Sequence, residues 1–267
     1  MRLATVARDC LYVHWLLPRA LAPSLPAPLR YEVHAHGGAP YVFASAQWFQ
    51  VDSLHASTMP LLRASYPQLN LRLYAFDDDG VPSVYFPRLL VPLWITPAAR
   101  LLARQPLEAA HFRVPAPTPS VDPALDGASS MAPRRWLVRR AETLSLIAAP
   151  AVRGNFDRAV PWVDPTRHLR RRIRGYVPWG ASGVRAIRTW HPSAASAPAQ
   201  PMDVEMTCVD LLASTFGVDD SLWLHPHGAC LCAEIPVAFD LMRLPRVAPA
   251  PAPTPTPAAA SRTGASA

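Results

Sequence analysis

At 267 residues, half of them hydrophobic, the chain is long enough to bury a sizeable core in one large domain or two small ones. The formal charge is +7, yet charged residues make up only 17% and all 26 basic residues are Arg, which excludes a polyelectrolyte. Arg without Lys, alongside abundant Ala and Pro, is what a GC-rich coding sequence gives. No apolar run approaches the ~20 residues that span a bilayer. The charged N-terminus has no signal-peptide core, and four Cys are too few for a disulfide framework. These features predict a soluble, cytoplasmic protein with no membrane partner.

In chain order, residues 10–15 are a short apolar run that predicts an opening strand. Residues 18–25 predict a short helix, with Pro18 in its first turn and Pro26 ending it. Residues 31–36 and 41–51 predict strands joined at Gly37-Gly38. Residues 65–86 predict a β-hairpin. In its first half Leu69, Leu71 and Leu73 alternate with Asn70, Arg72 and Tyr74, the period of a strand with one face in apolar packing. Asp77-Asp78-Asp79-Gly80 supplies the turn. The face carrying Asn70, Arg72 and Tyr74 is either solvated or looks into a polar cavity. Thr96-Pro97 predicts a helix start, continued over residues 98–105 and stopped by Pro106. Arg100 and Arg104 fall one turn apart on it.

Residues 115–133, rich in Pro, Ser and Ala, predict a long flexible loop, and residues 192–201 predict another. Residues 135–147 are strand-like. Residues 204–216 carry apolar spacing near 3.6, which predicts a helix capped by Asp203 and stopped by Gly217. Residues 222–224 and 229–237 predict closing strands. Beyond residue 246 the composition collapses to Ala, Pro and Thr, which predicts a disordered tail at 247–267 behind one domain at 1–246.

Two clusters carry possible chemistry. His225, His227, Cys230 and Cys232 place four soft ligands in eight residues. Their spacing fits no standard structural zinc pattern, so a hairpin with buried thiols is expected, with no metal and no other cofactor. Arg167, Arg170, Arg171, Arg172 and Arg174 offer phosphate contacts, but no aromatic interleaving accompanies them. A solvated loop or intramolecular ion pairs are expected there, not a nucleic-acid partner. There is no Gly-x-Ser-x-Gly elbow and no Gly-rich phosphate loop.

Four segments carry a resemblance: residues 17–26 (Leu-Pro-Arg-Ala-Leu-Ala-Pro-Ser-Leu-Pro), 38–42 (Gly-Ala-Pro-Tyr-Val), 67–74 (Pro-Gln-Leu-Asn-Leu-Arg-Leu-Tyr) and 80–86 (Gly-Val-Pro-Ser-Val-Tyr-Phe). Over about residues 10–113 the chain resembles the uncharacterised domain of unknown function 2071 family, within the acetoacetate decarboxylase-like superfamily. The resemblance implies an α+β fold of mainly antiparallel strands, curled into a cone or partial barrel around a small-molecule pocket. Decarboxylases of the superfamily carry an Arg after the hairpin, then a Pro and two adjacent Lys, one of which forms a Schiff base with a keto acid. Arg100 and Pro106 match the first two. Leu107 and Glu108 stand where the Lys pair belongs, and a chain without Lys has no side chain for an imine.

The ligand-binding candidates are therefore Asn70, Arg72, Tyr74, Arg100 and His14, the last placed by the resemblance where the first strand nears the pocket. Three readings follow. One is a pocket protein holding a small anionic or acyl ligand without Schiff-base chemistry. Another is a lysine-independent enzyme using Glu108 or His14 as acid or base. The third is a structural module with a vestigial pocket. For the tail, a chain truncated after Arg246 is expected to keep its melting temperature, because a segment without apolar periodicity cannot offset its ordering entropy. A fall of several degrees in a thermal melt would show that it packs on the domain.

Overall fold

The structure is a computed structural model and describes residues 2–99, 106–115, 132–151, 174–180, 183–190 and 199–240. Thirteen strands pair into one sheet. They are β1 (Arg2–Pro18), β2 (Arg30–Tyr31), β3 (Val33–His36), β4 (Ala39–Ala56), β5 (Met59–Phe76), β6 (Pro82–Pro92), β7 (Leu107–Arg113), β8 (Arg134–Arg139), β9 (Thr143–Pro150), β10 (Arg174–Trp179), β11 (Gly183–Trp190), β12 (Ala199–Cys208) and β13 (Gly228–Asp240). Three short helices accompany them: α1 (Thr96–Ala98), α2 (Asp210–Phe216) and α3 (Asp220–Trp223).

The sheet closes on itself. Neighbours run β6-β7-β8-β9-β12-β13-β1-β4-β5 and back to β6, a barrel of nine strands. Alternating directions cannot close around an odd ring without a parallel pair, and β6–β7 is parallel while the other eight junctions are antiparallel. A second closure uses the far ends of the same strands. β10 pairs in parallel with β6 at residues 83–85, and β11 pairs with β13 at residues 238–240. This makes a seven-membered ring of β6, β5, β4, β1, β13, β11 and β10, again odd and again with one parallel pair.

The shared strands β13, β1, β4, β5 and β6 are thus covered on both faces. Leu11, Val13, Trp15 and Leu17 of β1, Ala44, Ala46 and Trp48 of β4, and Leu69, Leu71 and Leu73 of β5 fill the nine-stranded barrel. Leu211, Leu212, Phe216 and Trp223 of α2 and α3 join the same core. Trp15 Nε1 donates to the Trp223 carbonyl at 3.0 Å and fixes that contact. The alternate residues Cys10, Tyr12 and Phe49 pack with Val177 and Ile187 of β10 and β11 on the other face.

The hairpin predicted at 65–86 is present, with longer strands. Gly80 takes φ +73 at its turn, and Gly37 and Gly38 take φ +57 and +81 between β3 and β4. Other elements differ from the sequence reading. Residues 18–25 form no helix. β1 runs to Pro18, and Leu21 N–H closes a turn on the Pro18 carbonyl at 2.9 Å, since Pro18, Pro23 and Pro26 leave too few amides for a helical ladder. Residues 204–208 are strand, because Met202, Val204 and Met206 also satisfy a period of two. The helix starts only at Asp210 and ends, as predicted, at Gly217 with φ +66. Residues 222–224 are not a strand: Asp219 caps α3 by accepting from Ser221 N–H at 2.8 Å. Thr96 is not an N-cap, since its hydroxyl donates back to the Leu93 carbonyl at 2.7 Å. Arg100, Arg104, Arg167, Arg170, Arg171 and Arg172, the tail and nearly all of both predicted loops lie outside the described residues.

The second closure is pinned by one buried carboxylate. Asp77 accepts from Val81 N–H at 2.8 Å, Arg174 Nη1 at 2.7 Å, Tyr176 Oη at 3.1 Å and Ser83 Oγ at 3.4 Å. Asp79 accepts from the same Arg174 nitrogen at 2.7 Å. Burial alone would raise the Asp77 pKa, but these donors outweigh it and hold the carboxyl below its usual range. A folded pKa below the unfolded one gives stability that is present above about pH 4 and lost as pH falls through the folded value. Asp77→Asn is therefore expected to lower unfolding free energy by ~2–3 kcal/mol near neutrality. It should also flatten the acid limb of a stability–pH profile measured by denaturant melts.

Candidate functional site

On the face opposite the main core, the register lines polar residues into rungs. His14 of β1 pairs with Ser45 of β4, and Ser45 with Arg72 of β5. One rung along, Tyr12 pairs with Gln47 and Gln47 with Asn70. Directly opposed residues in an antiparallel sheet have Cβ atoms ~5 Å apart, so the six make a compact polar belt. The cause is local: each of the three strands alternates strictly between apolar core positions and these polar ones.

Beside the belt lies a cavity of about 60 Å³, lined chiefly by Gln47, Asn70, Arg72, Tyr74, Phe86 and Arg174. By the volume of a water, that holds on the order of four waters or a ligand of a few heavy atoms. Gly175 completes the wall: a Cβ there would stand 2.5 Å from Phe86 Cε2, so its lack of a side chain lets the ring lie flat beneath the site.

Arg72 is the electrostatic centre. Its Nη2 donates to Gln47 Oε1. Its guanidinium carbon sits 5.3 Å from the Phe86 ring centroid and 5.7 Å from that of Tyr12. Its Nε is buried and donates to no described atom. Among the described residues no carboxylate lies within ion-pair distance of it. Arg8, Arg88 and Arg174, by contrast, each contact two. Burial pushes the Tyr12 phenol well above its ordinary pKa, so it stays protonated and cannot serve as the counter-anion.

The structure brings Asn70, Arg72 and Tyr74 together on the cavity wall, with the Tyr74 hydroxyl 3.3 Å from Ser45 Oγ. His14 is buried on the same rung as Arg72 and stacks parallel to Tyr12 at 6.3 Å, but does not line the cavity. Glu108 lies elsewhere: it accepts from Arg88 Nη2 at 2.8 Å and from Arg140 Nη1 at 2.5 Å. Leu107 is buried in the apolar cluster on the cavity side of the sheet. Gln47, Tyr12, Ser45 and Phe86 were not singled out from the sequence, although alternation in residues 11–15 and 44–48 carries the signal for the first three.

Cys230 and Cys232 are buried on β13 opposite Tyr12 and Cys10, while His225 and His227 are exposed. Among the described residues the group of potential metal ligands that converges is Asp77, Asp78 and Asp79. Arg174 already pairs with two of these. No helix among the described residues is long and apolar enough to cross a membrane.

The family model of domain of unknown function 2071, described as "Uncharacterized conserved protein", matches residues 5–228. The chain belongs to that family. Among solved structures it is similar to the enduracididine biosynthesis enzyme MppR complexed with pyruvate, with a TM-score of 0.53 and 13% identity over 91% of each chain. The same enzyme with HEPES buffer bound gives a TM-score of 0.54 at 12% identity, over 90% of this chain and 85% of that one. An acetoacetate decarboxylase-like enzyme from Sphingomonas wittichii RW1 gives 0.50 at 17% identity over 89% of each chain. At these identities the likeness shows the fold, which is acetoacetate decarboxylase-like. No curated protein matches the chain.

Burial also sets the reactivity of the thiols. Cys10, Cys230 and Cys232 are buried, and burial pushes the Cys10 pKa well up, whereas Cys208 is half-exposed. Titration of the native protein with an aromatic disulfide is expected to modify Cys208 first and the other three only on unfolding. Fast modification of Cys10 or Cys232 in the native state would show that the β1–β13 seam opens.

Proposed function

We propose that this chain is a small-molecule pocket protein that holds a small anionic or acyl compound without Schiff-base chemistry. Arg72 is the anchor in this reading, with Asn70 and Tyr74 shaping the wall. His14 shares the rung of Arg72, and it and Arg100 are retained as ligand candidates from the sequence. The observation that carries it is the partly buried Arg72 guanidinium, which has an unsatisfied Nε–H and no carboxylate partner among the described residues. A cation withdrawn from water is costly unless an anion meets it. The planar fork suits a carboxylate, and the cavity volume restricts that ligand to a few heavy atoms.

Among the described residues no Asp, Glu or His lines the cavity, and the sequence has no Lys. That lining supports binding over acid–base turnover. Glu108 is engaged by two arginines and His14 does not line the cavity, which favours the binding reading over the enzymatic one. No cofactor is invoked.

Two measurements test this. Pyruvate or acetoacetate is expected to bind the native protein, and Arg72→Met should weaken binding by ~1.5–3 kcal/mol, the worth of a hydrogen bond to a charged group, while leaving the fold intact, as read by circular dichroism. Borohydride should trap no adduct and decarboxylation should stay at background, because the sequence contains no Lys. Unchanged affinity in Arg72→Met would move that residue out of the site.

A further inference from the structure

The amide of Gln47 joins three polar groups of the belt. Its Oε1 accepts from Arg72 Nη2 and, at 3.5 Å, from Asn70 Nδ2. Its Nε2 donates to the Tyr12 hydroxyl at 2.7 Å. A guanidinium is a donor only, so the amide has one permitted orientation, with oxygen toward Arg72 and nitrogen toward Tyr12. The Tyr12 hydroxyl must then accept, and no described atom takes its own proton. Tyr12 is 6% exposed. Two buried donors are therefore left over, Tyr12 O–H and Arg72 Nε–H, one at each end of the chain of bonds that runs through Gln47.

Position 47 is also where a carboxylate would cancel the site. Glu is nearly the same shape as Gln, and its oxygen would meet the same Arg72 nitrogen as an ion pair. We infer that Gln47 sets the charge of the site: it holds the Arg72 fork in place without neutralising it. The cavity is thereby reserved for a monoanion whose polar atoms are acceptors, met by Arg72 on its wall. This rests on the reading of the cavity given above and adds a specificity-determining residue to it.

The test compares Gln47→Glu and Gln47→Met in the full chain. Pyruvate, which stays ionised over the range used, is the probe, read by titration calorimetry; the ligand-free proteins are read by thermal melts from acid to neutral pH. Gln47→Glu is expected to melt higher than the wild type near neutrality, because Arg72 gains a counter-ion. The Arg72 charge holds the new carboxyl below its unfolded pKa, so the gain is present above the carboxylate range and disappears as pH falls through the folded value. The same variant should bind pyruvate roughly ten- to hundredfold more weakly at neutral pH. Gln47→Met keeps the charge and should lose less than Gln47→Glu.

Equal loss of binding in the Glu and Met variants would make Gln47 merely structural and overturn the inference. So would a Gln47→Glu variant that binds pyruvate as the wild type does, or one that shows no pH-dependent gain. If the wild type binds no carboxylate but Gln47→Glu still shows the pH-dependent gain, the ligand class falls with the reading of the cavity, while the coupling of residue 47 to the Arg72 charge stands.

Discussion

The constraint on which this protein depends is that its longest strands are buried on both faces. A strand has a period of two, so each of β1, β4 and β5 sends alternate side chains into two separate compartments. One compartment is the nine-stranded barrel, packed with Leu, Ala and Trp. The other is closed by β10 and β11, and there β1, β4 and β5 place their polar side chains. The resemblance implied a pocket inside a cone. The cavity lies in the second closure, across the shared sheet from the packed barrel, because Leu69, Leu71 and Leu73 fill the barrel face.

Charge is handled differently at the two arginines that meet at this cavity. Arg174 is half-exposed and carries two carboxylates, and the pair Asp77–Arg174 fastens β10 to the β5–β6 turn. It serves the closure of the ring. Arg72, deeper on β5, has aromatic faces and a neutral amide for company. Cation–π contacts return part of the lost hydration, ~1–2 kcal/mol, but not the several kcal/mol that desolvating a cation costs. A fold that can supply carboxylates to Arg8, Arg88 and Arg174 and leaves Arg72 with a carboxamide keeps an electrostatic debt at one point, and that point is the cavity wall.

Legibility followed the length of the periodic signal. Residues 69–74 were read as a strand with a Leu face and a polar face, and both faces stand. The Asp77–Gly80 turn was equally plain, since only a few residue types suit its backbone. Residues 204–216 misled because a strand and a helix overlap in one apolar pattern, and the break at Val209 carries no Pro or Gly to mark it. The short helix at 220–223 was hidden because Leu222 and Trp223 read as strand, while its Asp219 cap preceded only four residues. The polar belt was half visible. Asn70 and Arg72 stood out beside their leucines, but Tyr12, Ser45 and Gln47 gain meaning only when β1, β4 and β5 lie in register, and cross-strand register is not a property of any one segment.

The same period of two bears on the missing amine. Two adjacent residues on a strand point to opposite faces, so a Lys pair at this place on β7 would be divided between the compartments. Leu107 takes the cavity side and is buried among Leu89, Val91 and Ile95. Glu108 takes the barrel side, where Arg88 and Arg140 hold it and Arg88 reaches on to Glu142. Each substitution is built into its own surroundings: an apolar side chain in an apolar cluster, and an acid among arginines. A Lys at 107 would put an ammonium among Leu89, Val91 and Ile95, and a Lys at 108 would take away the acid that Arg88 and Arg140 share. Among the described residues the cations on the cavity wall are Arg72 and Arg174, and Arg174 already carries two carboxylates, which leaves Arg72 to meet an anion.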